Sequence, residues 1–226
     1  GGSSMRHVMS QIFALMPGEV NMYKGTQTAG VIRDEVRHDP SRGFSAGFQL
    51  HLLSLGPEQV AKTLVDNGWG KNYADLMENY NKLAGVILTG EDPPQVENRI
   101  TLHPTETDQY GLPVAVVTYN YHPNSIAMMD YAEDKARQMY ESLGATDFFT
   151  IRNFGATHNL GTARIGNDPA TSVCNSWGQT HDIDNLFISD GSLFPTSGSA
   201  NPTLTIISLM LRQADYLIES LENGSI

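Results

Sequence analysis

A single cysteine, Cys174, stands among 226 residues, so no disulfide can close within the chain and its stability cannot rest on oxidative crosslinks. That suits a cytoplasm and is compatible with a periplasm. Basic residues are also scarce: 14 Lys and Arg face 25 Asp and Glu, a formal charge of −11. Non-specific binding to nucleic acid or anionic membrane needs clustered cations to displace counterions, so neither is an expected partner. Long apolar runs are missing too. The strongest, Leu204 to Leu211, is followed at once by Arg212, Gln213 and Asp215, well short of the roughly 20 residues of a spanning helix. The first residues lack the basic start, apolar stretch and cleavage site of a secretory signal, and Gly1–Ser4 reads as a cloning scar. His7, His38, His51, His103 and His122 show neither HExxH nor Cys-paired spacing, so no metal site is expected. The GxGxxG dinucleotide fingerprint is absent as well. Its nearest string, Gly68-Trp69-Gly70-Lys71-Asn72-Tyr73, lacks the third glycine and follows helical text, which marks a loop ending a helix.

What is present suits a globular protein rich in turns: 40% hydrophobic residues, 17% charged, 21 glycines and 11 prolines. From about Tyr23 to Leu55 the text is strand-like, with FQLHLLSL bounded by Gly47 and Gly56-Pro57. Pro57 then opens a helix with an apolar stripe of Val60, Leu64 and Val65 and a C-cap at Gly68. After a polar hinge, TGEDPPQVENR, the stretch ITLHPTETDQYGLPVAVVTYNY predicts an antiparallel pair joined by a turn around Asp108 to Gly111. An amphipathic helix follows, starting after Asn124-Ser125 and stopping at Gly144. Its apolar face carries Met129, Ala132, Ala136, Met139 and Leu143.

From Thr150 the texture changes to glycine-rich loops, a short apolar strand at Leu186 to Ser189, the loop DGSLFPTSGSANP and a helix from Pro202 to about Leu221. Asn201 suits the N-cap and Pro202 the first helical position. Leu204, Ile207, Met210, Leu211, Ala214, Leu217 and Leu221 should form the buried face. A loop of small residues between a strand end and a helix start lets a ligand approach the backbone. Free N–H groups and the helix dipole would favour negative charge there, on a phosphate or on an electron-rich ring.

The stretch HNLGTARIG, then Val173 to Asn175 and WGQTHDIDNLFISDGSLFPTSGSANPTLTIISLMLRQADYL, resembles the C-terminal signature of the glucose-methanol-choline (GMC) family of flavin-dependent oxidoreductases. It is similar in particular to the bacterial branch with gluconate and other sugar dehydrogenase flavoprotein subunits, and to pyranose-oxidising relatives whose second active-site residue is Asn. The likeness is continuous over about residues 150 to 222 and weaker in NRITLHPTETDQYGLPV. It implies FAD as cofactor and His158 as the base that takes the alcohol proton while hydride leaves for flavin N5. It implies that Asn201 hydrogen-bonds the substrate oxygen. Asn159, Asp190 and Gly191 would meet the flavin, and Pro202 with Thr203 would face its pyrimidine ring. Without GxGxxG, the chain reads as the C-terminal portion of such an enzyme, partnered by a missing N-terminal FAD-binding half, an alcohol or sugar substrate and an electron-transfer subunit.

The chemistry agrees from the residues alone, though less specifically, because an imidazole titrates near neutral pH and suits a base for alcohol oxidation. A histidine in a glycine turn can equally be a structural hydrogen-bonder, Asn201 an ordinary N-cap, and Asp190-Gly191 a plain turn. His181 and Asp182 read as solvated turn residues, and Cys174 as a small buried hydrophobe. Gly43-Phe44-Ser45-Ala46-Gly47 matches the G-x-S-x-G nucleophile elbow, which keeps a serine hydrolase using Ser45 as one alternative; its polar lead-in and strand-like sequel argue against it. A non-catalytic binding or assembly module derived from an oxidoreductase is another. The expected fold class is α+β: an antiparallel sheet flanked by helices in a substrate-binding domain, 1–149, then a segment, 150–226, whose strand and helix complete a flavin-binding domain.

Overall fold

A computed structural model of the protein describes residues 2–63, 70–152 and 157–226. Its regular elements, in chain order, are strands β1 (Val8–Leu15), β2 (Val31–Ile32) and β3 (Phe48–Leu52) and helices α1 (Pro57–Thr63) and α2 (Lys71–Glu78). Then come β4 (Leu83–Gly90), β5 (Arg99–Thr107), β6 (Pro113–Thr118), α3 (Pro123–Ser142), β7 (Asp147–Ile151) and α4 (Thr203–Glu222). The fold is α+β with antiparallel sheets, as the sequence implies. Leu64, Val65, Gly68 and Trp69 lie outside the described residues. Gly70, with φ +91°, directly precedes α2 and so opens a helix.

Two compact units form, each from separated stretches of chain: 8–90 with 123–152, and 2–7 with 91–122 and 157–226. They do not part at the 149/150 boundary drawn from sequence texture, because the β5–β6 hairpin joins the C-terminal stretch.

The first unit is built on a five-stranded antiparallel sheet in the order β2-β3-β4-β1-β7. β1 and β4 pair along their full length, from Val8↔Gly90 to Leu15↔Leu83. Both faces of this central pair are covered, which explains why β1 is buried almost throughout. On one face lies α3, so close that no Cβ would fit between Gly90 and the Met128 sulfur. The other face gathers Met9, Phe13, Leu83 and Ile87 with Val60 of α1 and Leu76 of α2. Truncating a ring such as Phe13, fully buried here, costs about 3–5 kcal/mol in a core of this kind.

The α3 stripe is rotated slightly from its expected face. Met128, Met129, Ala132, Ala136 and Tyr140 are buried, whereas Leu143 is exposed. The helix has ended by then, and Gly144 takes a left-handed conformation (φ +86°) that turns the chain away. Arg152, just past β7, ties that strand to α3: its Nε donates to Glu133 at 2.8 Å. Between Tyr23 and Leu55 only β2 and β3 are strands; the residues between them, rich in Asp, Pro and Gly, form turns instead.

In the second unit, β5 and β6 form the expected hairpin, closed by Asp108, whose carboxylate accepts from the N–H groups of Tyr110 (2.8 Å) and Leu112 (3.0 Å). LFIS is not a strand. A strand needs a ladder, and this stretch finds one isolated bridge, Gln179↔Phe187. Helix α4 forms where expected but does not bury its apolar stripe: Leu204 is 76% exposed and Leu211 and Leu221 each 65%. Instead it docks through a polar and aromatic face. Tyr216 stacks on Trp177 at 4.6 Å, Arg212 lies over the same indole at 3.8 Å, and buried Gln213 donates to the carbonyls of Trp177 (2.8 Å) and Ile188 (2.9 Å). No helix among the described residues is long and apolar enough to cross a membrane.

Candidate active site

The site is assembled from three extended stretches of the second unit. Residues around Met5 pair antiparallel with those around Leu160, through reciprocal backbone hydrogen bonds of 2.9 Å each way. The chain from Leu160 then runs beside the Asp190 turn: Ala163 N–H donates to Ser192 at 2.9 Å and Ile165 N–H to Leu193 at 2.9 Å. Gly161 makes this possible. It has φ +88°, and a Cβ there would lie 2.5 Å from the Ser3 carbonyl oxygen. Ser3 and Ser4, in the presumed scar, are buried, and Ser4 N–H donates to the Asn98 carbonyl at 2.7 Å. The stretch is therefore an integral part of the unit.

Arg6 and Asp92 buttress the stretch around Met5. Asp92 is buried and accepts from the Tyr119 hydroxyl at 2.8 Å and the Arg6 backbone N–H at 3.3 Å, while the Arg6 guanidinium covers the Tyr119 ring at 3.9 Å. Burial, then the Asp92 charge, push the Tyr119 phenol above its ordinary pKa, so it remains a donor.

His158 opens the Leu160 stretch with φ +65°, a left-handed conformation that costs a residue bearing a Cβ about 1–3 kcal/mol and concentrates at functional sites. The ring is half-buried. Burial lowers its pKa below the ordinary 6.5, which leaves it neutral at neutral pH. Its Nδ1 lies 2.8 Å from Nδ1 of His7, with the two rings edge to face. His7 is fully buried. In the sequence it stood out only as a histidine without metal spacing. The signal is in the register: with Met5 opposite Leu160, the residue two past Met5 falls opposite the residue two before Leu160.

Asn159, next in the chain to His158, lines a cavity of about 300 Å³ together with Thr162, Asp190 and Gly191, with Ile100 and Val117 of the hairpin as apolar wall. Asp190 caps the short 3-10 turn Gly191–Leu193, its carboxylate accepting from Ser192 N–H at 2.8 Å. Gly191 must be small, since a Cβ would come within 2.7 Å of the Leu160 side chain. Ligand sites span about 300–1,000 Å³, so the cavity suits a ring system and not a whole dinucleotide. Apolar wall and polar rim fit the ring end of a flavin. The chain offers no fingerprint for its pyrophosphate.

Asn201, Pro202 and Thr203 lie apart from this layer in their hydrogen bonding. Contrary to the sequence reading, Asn201 does not cap α4: the cap position is Pro202, in helical conformation and with no side-chain acceptor, and Thr203 is the first helical residue. The first helical bond is accepted by the Pro202 carbonyl, from Ile206 N–H, which puts the boundary one residue on. Asn201 is exposed, and among the described residues no hydrogen bond joins it to His158. The N–H groups of Thr203, Leu204 and Thr205 precede the first helical bond, from Ile206 N–H to Pro202 (2.9 Å), and so are free for an electron-rich ligand edge.

The competing readings find less support. Ser45 sits between a 3-10 turn and β3, in a loop that leads into a strand, where an elbow needs a strand leading into a helix. The His38 ring is engaged by the neighbouring residue, its Nδ1 accepting from the Ala46 backbone N–H at 3.2 Å. His181 is tied to Ser172 Oγ at 2.9 Å, and Cys174 is buried, its thiol pushed upward in pKa by that burial.

The GMC oxidoreductase family model matches residues 94–209. The chain is 35% identical over 223 residues to a 2-methyl-1,2-propanediol dehydrogenase of Mycolicibacterium austroafricanum, covering 94% of this chain and 40% of that protein. It is 27% identical to a gluconate 2-dehydrogenase flavoprotein of Pantoea cypripedii, covering 88% and 35% respectively. The fold also matches a pyridoxine 4-oxidase of Mesorbium loti at a TM-score of 0.62 and 14% identity, over 95% of this chain and 42% of that one. The chain thus spans about two fifths of the length of these proteins, and with the family match extending over half of its residues, it belongs to the GMC oxidoreductases.

Proposed function

We propose that this chain carries the base and the flavin-facing wall of an FAD-dependent enzyme that oxidises the CH–OH group of a sugar, sugar acid or other alcohol to a carbonyl. The observation that carries the reading is His158: a half-buried imidazole, its pKa lowered by burial, in a left-handed backbone conformation and next in the chain to Asn159, which with Asp190 and Gly191 lines a cavity. When bound, FAD supplies the hydride acceptor, flavin N5. The side chains do the rest. His158 takes the hydroxyl proton at a ring nitrogen, and Asn201 hydrogen-bonds the substrate oxygen. Asn159, Asp190 and Gly191 hold the ring edge, and Pro202 with Thr203 begin the helix whose free N–H groups favour negative charge on the pyrimidine side.

In this reading the residues from 150 on, with Ile100 and Val117 of the hairpin, face the flavin, while a GxGxxG-bearing half on further polypeptide anchors the ADP end. The alcohol class draws support from relatives named for a diol and for gluconate. A quinone, cytochrome or dye, delivered through an electron-transfer subunit, reoxidises the enzyme. His158→Ala in the full-length enzyme tests the base directly. Turnover should fall by about 10² or more, the range for losing a general base, with bound flavin nearly unchanged. Wild-type turnover in that variant would sink the assignment.

A further inference from the structure

We propose that His7 is a positioning residue for His158: it accepts a hydrogen bond from His158 Nδ1–H and so leaves the lone pair of His158 on Nε2, the nitrogen free to take a proton. The inference rests on His158 being the base. Only one hydrogen can lie between the two Nδ1 atoms, 2.8 Å apart, so one ring donates and the other accepts. If His7 donated, the lone pair of His158 would be spent on that bond and its Nε2 would carry a hydrogen, a donor where a base is needed. If His158 donates, its Nε2 is vacant and points away from His7. The proton balance is then simple. The substrate O–H bond breaks, an N–H bond forms at His158 Nε2, and the resulting imidazolium keeps its Nδ1–H on the neutral His7 ring. His7 neither gains nor loses a proton, because a cation in its fully buried position would be costly.

Three features hold His7 to this task. The reciprocal Met5–Leu160 backbone bonds set the register that brings residue 7 opposite residue 158. Arg6, just before it, lies over the ring of Tyr119, and the Asp92 carboxylate accepts from both the Arg6 N–H and the Tyr119 hydroxyl. The left-handed conformation of His158 turns its ring out of the extended run that follows it. The role parallels that of the carboxylate in a Ser-His-Asp triad, which fixes a tautomer without taking the proton. Here the acceptor is neutral, so it sets direction and adds no charge.

The test combines kinetics of the full-length enzyme with ¹⁵N-histidine NMR of this chain. His7→Leu removes the acceptor; His7→Asn keeps an oxygen near the Nδ1 position. His7→Leu should lower kcat roughly ten- to a hundredfold with KM within about threefold, the scale seen when an outer partner of a working histidine is lost. His7→Asn should restore most of that loss, and His7→Leu should cost nothing further when His158 is already Ala. In the NMR spectrum of the unmodified chain, His158 should show a protonated Nδ1 and a free Nε2. Wild-type kcat in His7→Leu, with His158→Ala impaired, overturns the positioning role and spares the base. Wild-type turnover in His158→Ala instead removes the base reading. The NMR then decides for His7 alone: Nδ1–H on His158 supports the assignment, and Nε2–H overturns it, also where His7→Leu fails to fold.

Discussion

A base that works near neutral pH must be unprotonated there, and burial of the His158 ring acts in that direction by disfavouring the imidazolium. The sign of the pH dependence follows. In the full-length enzyme the acid limb of kcat/KM should fall below the ordinary imidazole value near 6.5, because activity is lost only when His158 itself takes a proton from solution. His7 Nδ1 faces it at 2.8 Å. Stability shifts the same way: with the folded pKa depressed, the stabilising contribution is whole above the unfolded value and is lost as pH falls through the folded one. A pH–rate profile with an acid limb at or above 6.5 would contradict this account of the ring's surroundings. At this scale the glycine turn around His158 was legible, since HNLGTARIG is a local pattern. His7 was not, because its partner lies 151 residues away and only the pairing of Met5 with Leu160 brings them together.

Elements were legible where their own sequence decides them. The end of α3 and the β5–β6 turn follow from Gly144 and from Asp108 acting on nearby backbone, contacts a few residues apart, whereas α3 starts at Pro123, ahead of the expected Asn124-Ser125. The face of α4 was illegible for the opposite reason. Periodicity identifies an apolar stripe but not what covers it, and within this chain α4 is held by Arg212, Gln213 and Tyr216 while Leu204, Leu211 and Leu221 face outward. Gln213 is the centre of that docking. It is buried, donates to two carbonyls and pairs with the Ser189 hydroxyl. Gln213→Leu would strand those partners without replacing their bonds, at a cost of about 1–3 kcal/mol. Thermal unfolding of the chain should register this as a fall in Tm of roughly 2–4 °C per kcal/mol. An unchanged Tm would mean that the aromatic stack alone seats the helix.

For the whole molecule, the question is how much of a flavoenzyme these residues make. The chain spans 40% of the diol dehydrogenase it resembles and supplies a cavity of about 300 Å³, enough for a ring system. What it lacks is the glycine turn that cradles a pyrophosphate, and with it a large share of the contacts a dinucleotide would make. The unit carrying the cavity also leaves apolar side chains outside: Leu102 and Leu112 of the hairpin are 67% and 63% exposed, comparable to the α4 stripe. A ring pocket without the pyrophosphate contacts gives up much of the burial that tight dinucleotide binding needs. Incubated with excess FAD and then desalted, the chain should therefore keep no flavin absorbance, whereas the same residues within a polypeptide that includes a GxGxxG half should keep it. Retention by the chain alone would show that the cavity around Asn159, Asp190 and Gly191 binds flavin without the pyrophosphate anchor, and substrate screening with a dye acceptor could then be done on these 226 residues.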